Sequence, residues 1–362
     1  MSQRRPWKAI VLQRLPVCPP DPGVALERKT GLGPGGVSCE NPVPFAGQSF
    51  YGKGPMTRQN IADVLVYLLV RTLICVVQTL RIETGQIVAG WVARLFCDVL
   101  RIREKVADEN LAHAFPEMSA GERKRLRRRM WDHLFLLVLE VAHAPRKIHE
   151  TNWRDYVTLR HEDDMVRMLV DGRPTVIVTA HFGNFEVGGY VLGILGFPTH
   201  TVARTLDNPY LDRFLGRFRR GTGQHMIPKS GGYDQIVEVL AGGGTMTFLA
   251  DQSAGPKGCW IEFFGRPASA HKAIALLALD NDAPVAVTSV KRLGKPLHFE
   301  MRVAAAADPR EMGDRLSGVH DLTQWYSSRL EEIICEAPEQ YWWLHRRWKD
   351  TRQRRQRQKQ AA

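Results

Sequence analysis

Apolar positions are unevenly spread along this chain. Residues 1–55 follow neither a helical nor a strand period; Pro and Gly recur instead, at Pro19-Pro20, Pro22-Gly23 and between Gly31 and Gly36. This predicts a disordered extension. Its basic start is not followed by an apolar run, so it does not read as a secretory signal. Met56 stands just before the first periodic segment, and one expectation is a natural start there, with the upstream stretch a gene-model artefact.

Residues 61–100 are the most apolar region and divide into 61–80 and 85–100. A membrane span needs roughly 18 or more apolar residues with few charges. Arg71 falls near the middle of the first segment, where a charge costs about 2.5–3.5 kcal/mol. Arg81, Glu83, Arg94 and Asp98 bound or interrupt the rest. A buried helical hairpin, an interfacial helix and a single span all stay open. Next, Ser119-x-x-Glu122 makes a capping box. It opens a helix whose first turns carry Arg123, Lys124, Arg125, Arg127, Arg128 and Arg129 and whose later turns, to Val141, are apolar. The charge run is either a solvated face or a dock for anionic head groups.

From about residue 170 short β-branched runs alternate with helical periods. Strands are predicted over 174–180, 199–203, 245–250, 284–291 and 298–303, and helices over 182–195, 208–220, 233–240, 270–279 and 321–335. This alternation predicts an α/β fold with a mixed, mainly parallel sheet flanked by helices, preceded by an N-terminal membrane-associating helical region. A chain of 362 residues, 44% hydrophobic and 24% charged, has the apolar mass for a real core and room for one large domain or two modest ones.

Charge and cysteine usage narrow the class. The formal net charge is +12, which calls for an anionic partner: nucleic acid, anionic lipid or an acidic protein. Much of it is local, because residues 346–359 hold eight basic residues against one acid, leaving about +5 elsewhere. Cys18, Cys39, Cys75, Cys97, Cys259 and Cys335 contain no Cys-x-x-Cys pair, so neither a zinc ribbon nor a disulfide scaffold is predicted. Their scatter fits a reducing compartment. No ligand cluster implies a metal.

The sharpest chemical feature is His181-Phe-Gly-Asn-Phe-Glu186, directly after the strand ending at Ala180. Strand ends are where sites are built in α/β sheets. His181 falls in the turn, Asn184 is placed to cap the next helix and Glu186 falls in its first turn. A spacing of five does not put two groups on one helix face, but it suits a turn residue facing a helix-start residue. Glu186 would then hold the imidazole in one tautomer, and His181 would act as a general base on a hydroxyl. The plainer reading is a structural His bonded to a nearby carboxylate.

In the setting Thr179-Ala180-His181-Phe-Gly-Asn-Phe-Glu186, this signature resembles that of the lipid A biosynthesis acyltransferases, the late (lauroyl/myristoyl) branch of the glycerolipid acyltransferase-like superfamily. Further blocks agree in order: Asn110-Leu111 with Phe115-Pro116-Glu117, residues 202–212, Arg217-x-Arg219 with Gly223, Ala250-Asp251-Gln252, Phe263-Phe264-Gly265 with Ala268, and 338–348. The resemblance covers roughly 60–350. The first 55 residues have no counterpart, and Ser269-Ala270-His271 departs from the Thr and small residues that follow the family's Phe-Phe-Gly block.

The resemblance implies an acyltransferase at the cytoplasmic face of a bacterial inner membrane. The donor would be an acyl thioester on acyl carrier protein or coenzyme A, with no bound cofactor, and the acceptor a lipid hydroxyl, on a lipid A precursor or a related lipid. It divides the chain into the extension 1–55, membrane-associating helices 56–105, an acyltransferase domain 106–349 and a basic tail 350–362. His181 and Glu186 would be catalytic. Gly183, Asn184, Arg204, Arg219, Asp251 and Gln252 are candidate substrate-binding residues, with backbone N–H groups near Gly183, or Arg204, stabilising the oxyanion. Arg204, Arg217, Arg219 and Lys229 suit phosphates, or surface salt bridges. Asp251-Gln252 suits an acceptor site or a plain turn. Phe263-Phe264 suits an acyl groove or the core, and Trp342, Trp343 and Trp348 suit a membrane interface or the core. Gly242–Gly244 lacks the Gly-Lys-Ser/Thr of a phosphate loop and reads as a turn.

Competing classes are a lysophospholipid or other amphiphile acyltransferase, a basic nucleic-acid-binding protein, and an inactive membrane scaffold. The basic tail is not interleaved with a nucleic-acid module, and the apolar region suits a membrane better. The presence of both His181 and Glu186 argues against an inactive scaffold.

Overall fold

A computed structural model describes residues 58–348. The extension 1–55, Met56 and the tail 350–362 lie outside the described residues.

Helix α1 (Arg58–Thr79) is long and apolar enough to cross a membrane by length and composition. Leu65, Leu68, Leu69, Leu73 and Val76 are exposed along it. Arg71 does not disturb this apolar face, because its guanidinium sits 4.5 Å from the centroid of the Phe214 ring, where the ring quadrupole attracts a cation. α2 (Ile82–Arg94) continues through a π-turn at Leu95–Val99. It packs closely on a later helix at Gly85, where an added Cβ would lie 2.7 Å from Leu139.

α3 (Glu104–Ala114) is short and carries few apolar residues, and its period is not visible in the sequence. α4 (Ala120–Lys147) opens on the expected capping box: the Glu122 N–H donates to Ser119 Oγ, and the Ser119 N–H donates to the Glu122 carboxylate. Much of its basic run is not a free face. Arg127 is buried and donates to Glu104 and Asp108 at 2.6 Å each, Arg123 donates to Asp108, and Arg128 to Asp98. These charges tie α3 and the π-turn to α4, and Arg125 and Arg129 remain exposed.

The α/β part follows as β1 (Val157–Arg160), α5 (Glu162–Val170), β2 (Thr175–Thr179), α6 (Phe185–Ile194), β3 (Thr199–Ala203), α7 (Pro209–Arg220), β4 (Gln224–Pro228), α8 (Tyr233–Ala241) and β5 (Thr245–Leu249). A hairpin of β6 (Cys259–Phe263) and β7 (Arg266–Ala270) precedes α9 (Ala273–Asp280), β8 (Val285–Arg292), β9 (Phe299–Ala307) and α10 (Val319–Glu336). The sheet order is β1-β9-β8-β2-β5-β3-β4. Every pairing is parallel except β8–β9, so the sheet is mixed and mainly parallel, as expected. β2 is buried along its whole length, which explains its unbroken β-branched run without polar alternation.

Buried apolar side chains form one cluster around Val176 and Val178 with α8, α9 and α10. A second forms around Ile177 with α6. Alternate residues of β2 thus point into the two layers. Phe264 and Gly265 both have positive φ, 51° and 65°, and make the two-residue turn of the β6–β7 hairpin. Phe263 is core, so the aromatic pair does not border the cavity described below.

Candidate active site

β2 and β5 are parallel neighbours with Thr179 opposite Leu249. Two residues beyond each strand, the chain places His181 and Asp251 side by side. His181 Nδ1 lies 2.8 Å from Asp251 Oδ1, and the His181 N–H donates to Asp251 Oδ2 at 3.2 Å. The Asp251 side chain is fully buried. Burial alone raises its pKa, but the His181 and His345 rings and the bonds from His181 outweigh this and bring it down to about 2. Gln252 Nε2 approaches His181 Nε2 at 3.4 Å. The imidazole is further hemmed in by the rings of Phe185, Trp342 and His345, with centroids 5.3, 5.5 and 4.7 Å away.

Glu186 stands elsewhere in the same site. Its carboxylate accepts from Arg219 Nη2 and, at 3.2 Å, from Arg219 Nε. The carboxylate on the His181 ring is therefore that of Asp251, 70 residues away, rather than the one five residues on. A helix-start Glu turned toward α7 meets a guanidinium that offers a two-point fork.

Gly183 and Asn184 are also placed differently from the expectation. The Gly183 N–H donates to Gln340 O, and the Asn184 N–H to Val290 O. Asn184 is wholly buried; its Oδ1 accepts from the Val187 N–H, capping α6, and its Nδ2 donates to Glu140. Both residues shape the loop, and neither N–H is left for an oxyanion.

A cavity of about 570 Å³ opens on His181, a size that suits a ligand. Apolar side chains such as Leu192, Met226, Phe248, Ile274 and Leu277 line it, together with Glu186, Arg204, Arg219, Lys229 and Gln252. It reaches both faces of the sheet, since the consecutive β5 residues Thr247 and Phe248 both line it. Arg204 is exposed and pairs with Asp207. Arg217 is not a lining residue. Trp343 is core and donates to Pro338 O, and Trp348 packs on Phe263.

Residues 338–345, part of a family block in the sequence, also build the site, a role the sequence does not assign them. Phe182 bridges Tyr341, and the Trp342 N–H donates to His181 O. The buried Tyr341 hydroxyl lies beside Asp251, and burial with that carboxylate pushes its pKa well above the usual value. His345 is lowered to about 4, chiefly by burial. The ligand atoms of His181, Asp251 and His345 lie within 4.8 Å of one another. Two imidazoles and a carboxylate form a donor set that zinc accepts, but the 2.8 Å separation of His181 Nδ1 and Asp251 Oδ1 is that of a hydrogen bond.

The His345 shift predicts an acid-sensitive fold. A histidine whose pKa is 6.5 unfolded and about 4 folded resists protonation only when folded. Its neutral-pH contribution is therefore lost as pH falls from 6.5 to 4, on the order of 3 kcal/mol at ~1.4 per pH unit. Asp251 adds a second loss below pH 3.8, toward 2. Denaturant titrations of wild type and His345→Phe at several pH values should show a shallower slope between pH 4 and 6.5 for the variant.

Comparison with known proteins gives the family. The model of the bacterial lipid A biosynthesis acyltransferase family matches residues 56–350. The lipid A biosynthesis palmitoleoyltransferase of Escherichia coli K12 is 27% identical over 266 residues, 72% of this chain and 82% of that one. The lipid A biosynthesis lauroyltransferase of the same strain is 24% identical over 256 residues, 69% and 80% of the two chains. The crystal structure of the 1-acyl-sn-glycerophosphate acyltransferase PlsC from Thermotoga maritima aligns with 71% of this chain and 98% of its own, at 12% identity and a TM-score of 0.36. With the family model running from the first apolar helix through the segment that closes over His181, the chain belongs to the bacterial lipid A biosynthesis acyltransferases.

Proposed function

We propose that this acyltransferase moves a fatty acyl group from an acyl thioester, on acyl carrier protein or coenzyme A, to a hydroxyl of a lipid A precursor or related lipid. The observation that carries the reading is the His181–Asp251 pair opening into a largely apolar cavity. His181 Nε2 takes the proton of the acceptor hydroxyl as its oxygen attacks the thioester carbonyl. Ionised Asp251 on Nδ1 fixes the tautomer and stabilises the imidazolium. The tetrahedral intermediate expels the thiolate, which takes the proton back from His181, leaving the new ester and a free thiol. The N–H groups of Phe185 and Glu186 that open α6, with its positive helix end, would stabilise the developing oxyanion. Arg204 and Lys229 offer charge to the phosphates of the acceptor or of phosphopantetheine. Helix α1 holds the protein on the cytoplasmic face of the inner membrane, against anionic lipid.

The test is a lipid mass profile of Gram-negative cells expressing wild type, Asp251→Asn or Glu186→Gln. Wild type should yield a lipid heavier by one acyl group, whose fragments name acceptor and chain. A lysophospholipid or another amphiphile would declare itself in the same fragments. Asp251→Asn should lower the product by about a thousandfold or more, as neutralising a carboxylate behind a catalytic His does. Glu186→Gln should cost less, about tenfold, because an amide still accepts one bond from Arg219. Equal losses would assign Glu186 a direct part in the chemistry.

A further inference from the structure

Behind the catalytic loop, away from the cavity, lies a buried ion pair. Glu140 of α4 is 0% exposed and Arg292, at the end of β8, is 8% exposed. Arg292 Nε and Nη2 each donate to one Glu140 oxygen at 2.6 Å, and its Nη1 lies 2.7 Å from His133 Nδ1. Burial and the Arg292 charge hold the His133 pKa well below its ordinary value, so that ring is neutral and free to accept.

The pair grips the catalytic loop from two sides. Glu140 Oε2 also accepts from Asn184 Nδ2 at 2.9 Å, and Oε1 from the Leu297 N–H at 3.0 Å. The Arg292 backbone exchanges two hydrogen bonds with the Gln340 side chain, while Gln340 O accepts from the Gly183 N–H at 2.9 Å. Of the residues that turn the chain from His181 into α6, Asn184 is thus held by the pair itself, and Gly183 by Gln340, which is anchored on the Arg292 backbone. The same turns of α4 carry the corner between α1 and α2: Gln78 Nε2 donates to Ala142 O at 2.7 Å, and His143 Nε2 lies 3.3 Å from Leu80 O.

A buried ion pair is a poor stabiliser when compared with apolar residues of the same volume, because desolvation offsets the attraction. Its value here lies in direction. A bidentate carboxylate with both oxygens shared fixes where Asn184 stands, and a small misplacement of a catalytic group costs about a hundredfold in rate.

We infer that Glu140 and Arg292 are positioning residues for acyl transfer, setting the loop that presents His181 to the cavity. The inference rests on the reading of His181 as the base. Its test compares full-length wild type with Glu140→Leu/Arg292→Met, which removes both buried charges together, and with His181→Ala. Three quantities are measured: the melting temperature, the acylated lipid formed per folded molecule in host membranes, and the ¹⁵N-histidine spectrum. The His181 Nδ1–H signal is assigned by its loss in His181→Ala. The expected result is a double variant that folds with a lowered melting temperature, because Asn184 Nδ2 and the Leu297 N–H lose their acceptor, with product per folded molecule lowered about a hundredfold and the His181 signal displaced. Wild-type product and an unmoved His181 signal would overturn the inference, since a merely structural pair is replaced at no cost to chemistry. If the double variant does not fold, Arg292→Lys decides, because it keeps the charge and loses the fork: lowered product with a displaced signal supports positioning, and wild-type values for both overturn it. Activity in His181→Ala would instead sink the proposed mechanism, while the displacement of the His181 signal in the variants would still decide whether the pair sets the loop.

Discussion

Replacing His181 with alanine is expected to remove acyl transfer by a thousandfold or more and leave the fold in place. The imidazole is the proton acceptor in the proposed step, and general base catalysis accounts for about 10²–10⁴ in rate. Its loss also strands Asp251, whose low pKa depends on the His181 ring. Asp251 then sits buried with fewer partners, at a stability cost of about 1–3 kcal/mol. The measurement is product per folded enzyme in the lipid mass profile, with circular dichroism to confirm the fold. Full transfer by His181→Ala would end the mechanism.

Substituting Gly183 with alanine is expected to damage both fold and activity. Gly183 has φ +57°, and an added Cβ would lie 1.8 Å from Val290 O. That carbonyl belongs to the backbone of a core strand and accepts from the Asn184 N–H, so it cannot swing aside as a long side chain would. Left-handed backbone costs a non-glycine residue about 1–2 kcal/mol, and the clash brings the total to about 3–5 kcal/mol. Denaturant midpoints should fall accordingly, and transfer should be lost even where the chain stays folded, because Asn184 follows the displaced residue and His181 lies two positions before it. A Gly183→Ala protein with wild-type stability would mean the loop has another conformation within reach.

Local signals carried part of this site and long-range ones the rest. The β-branched run of β2, the cap at Asn184 and the strand-end position of His181 are all written within a dozen residues. Asp251 could be read as a strand-end residue but not as the partner of His181, because that depends on β5 lying beside β2 while β3 and β4 lie beyond it. Glu186 misled for the same reason: proximity in sequence favoured it, while its guanidinium partner comes from α7. The edge strands β1 and β4 give no clear signal in the sequence because an edge buries little. Along β4 only Gln224 and Ile227 are buried, so no apolar run announces it. α3 shows no helical period in the sequence because it is held by ion pairs to α4 and presents only a narrow apolar face.

The segment 338–345 completes the loop around His181 across about 160 residues of intervening chain. Synthesis runs the other way. The apolar α1 is made well before this segment, and the strands of the sheet follow it in chain order. The loop after β2 then waits, with the Gly183 N–H unsatisfied and the Asp251 carboxylate uncovered, until Gln340, Tyr341 and Trp342 arrive. The proposed His181–Asp251 site is therefore closed only once residues 338–345 have been made.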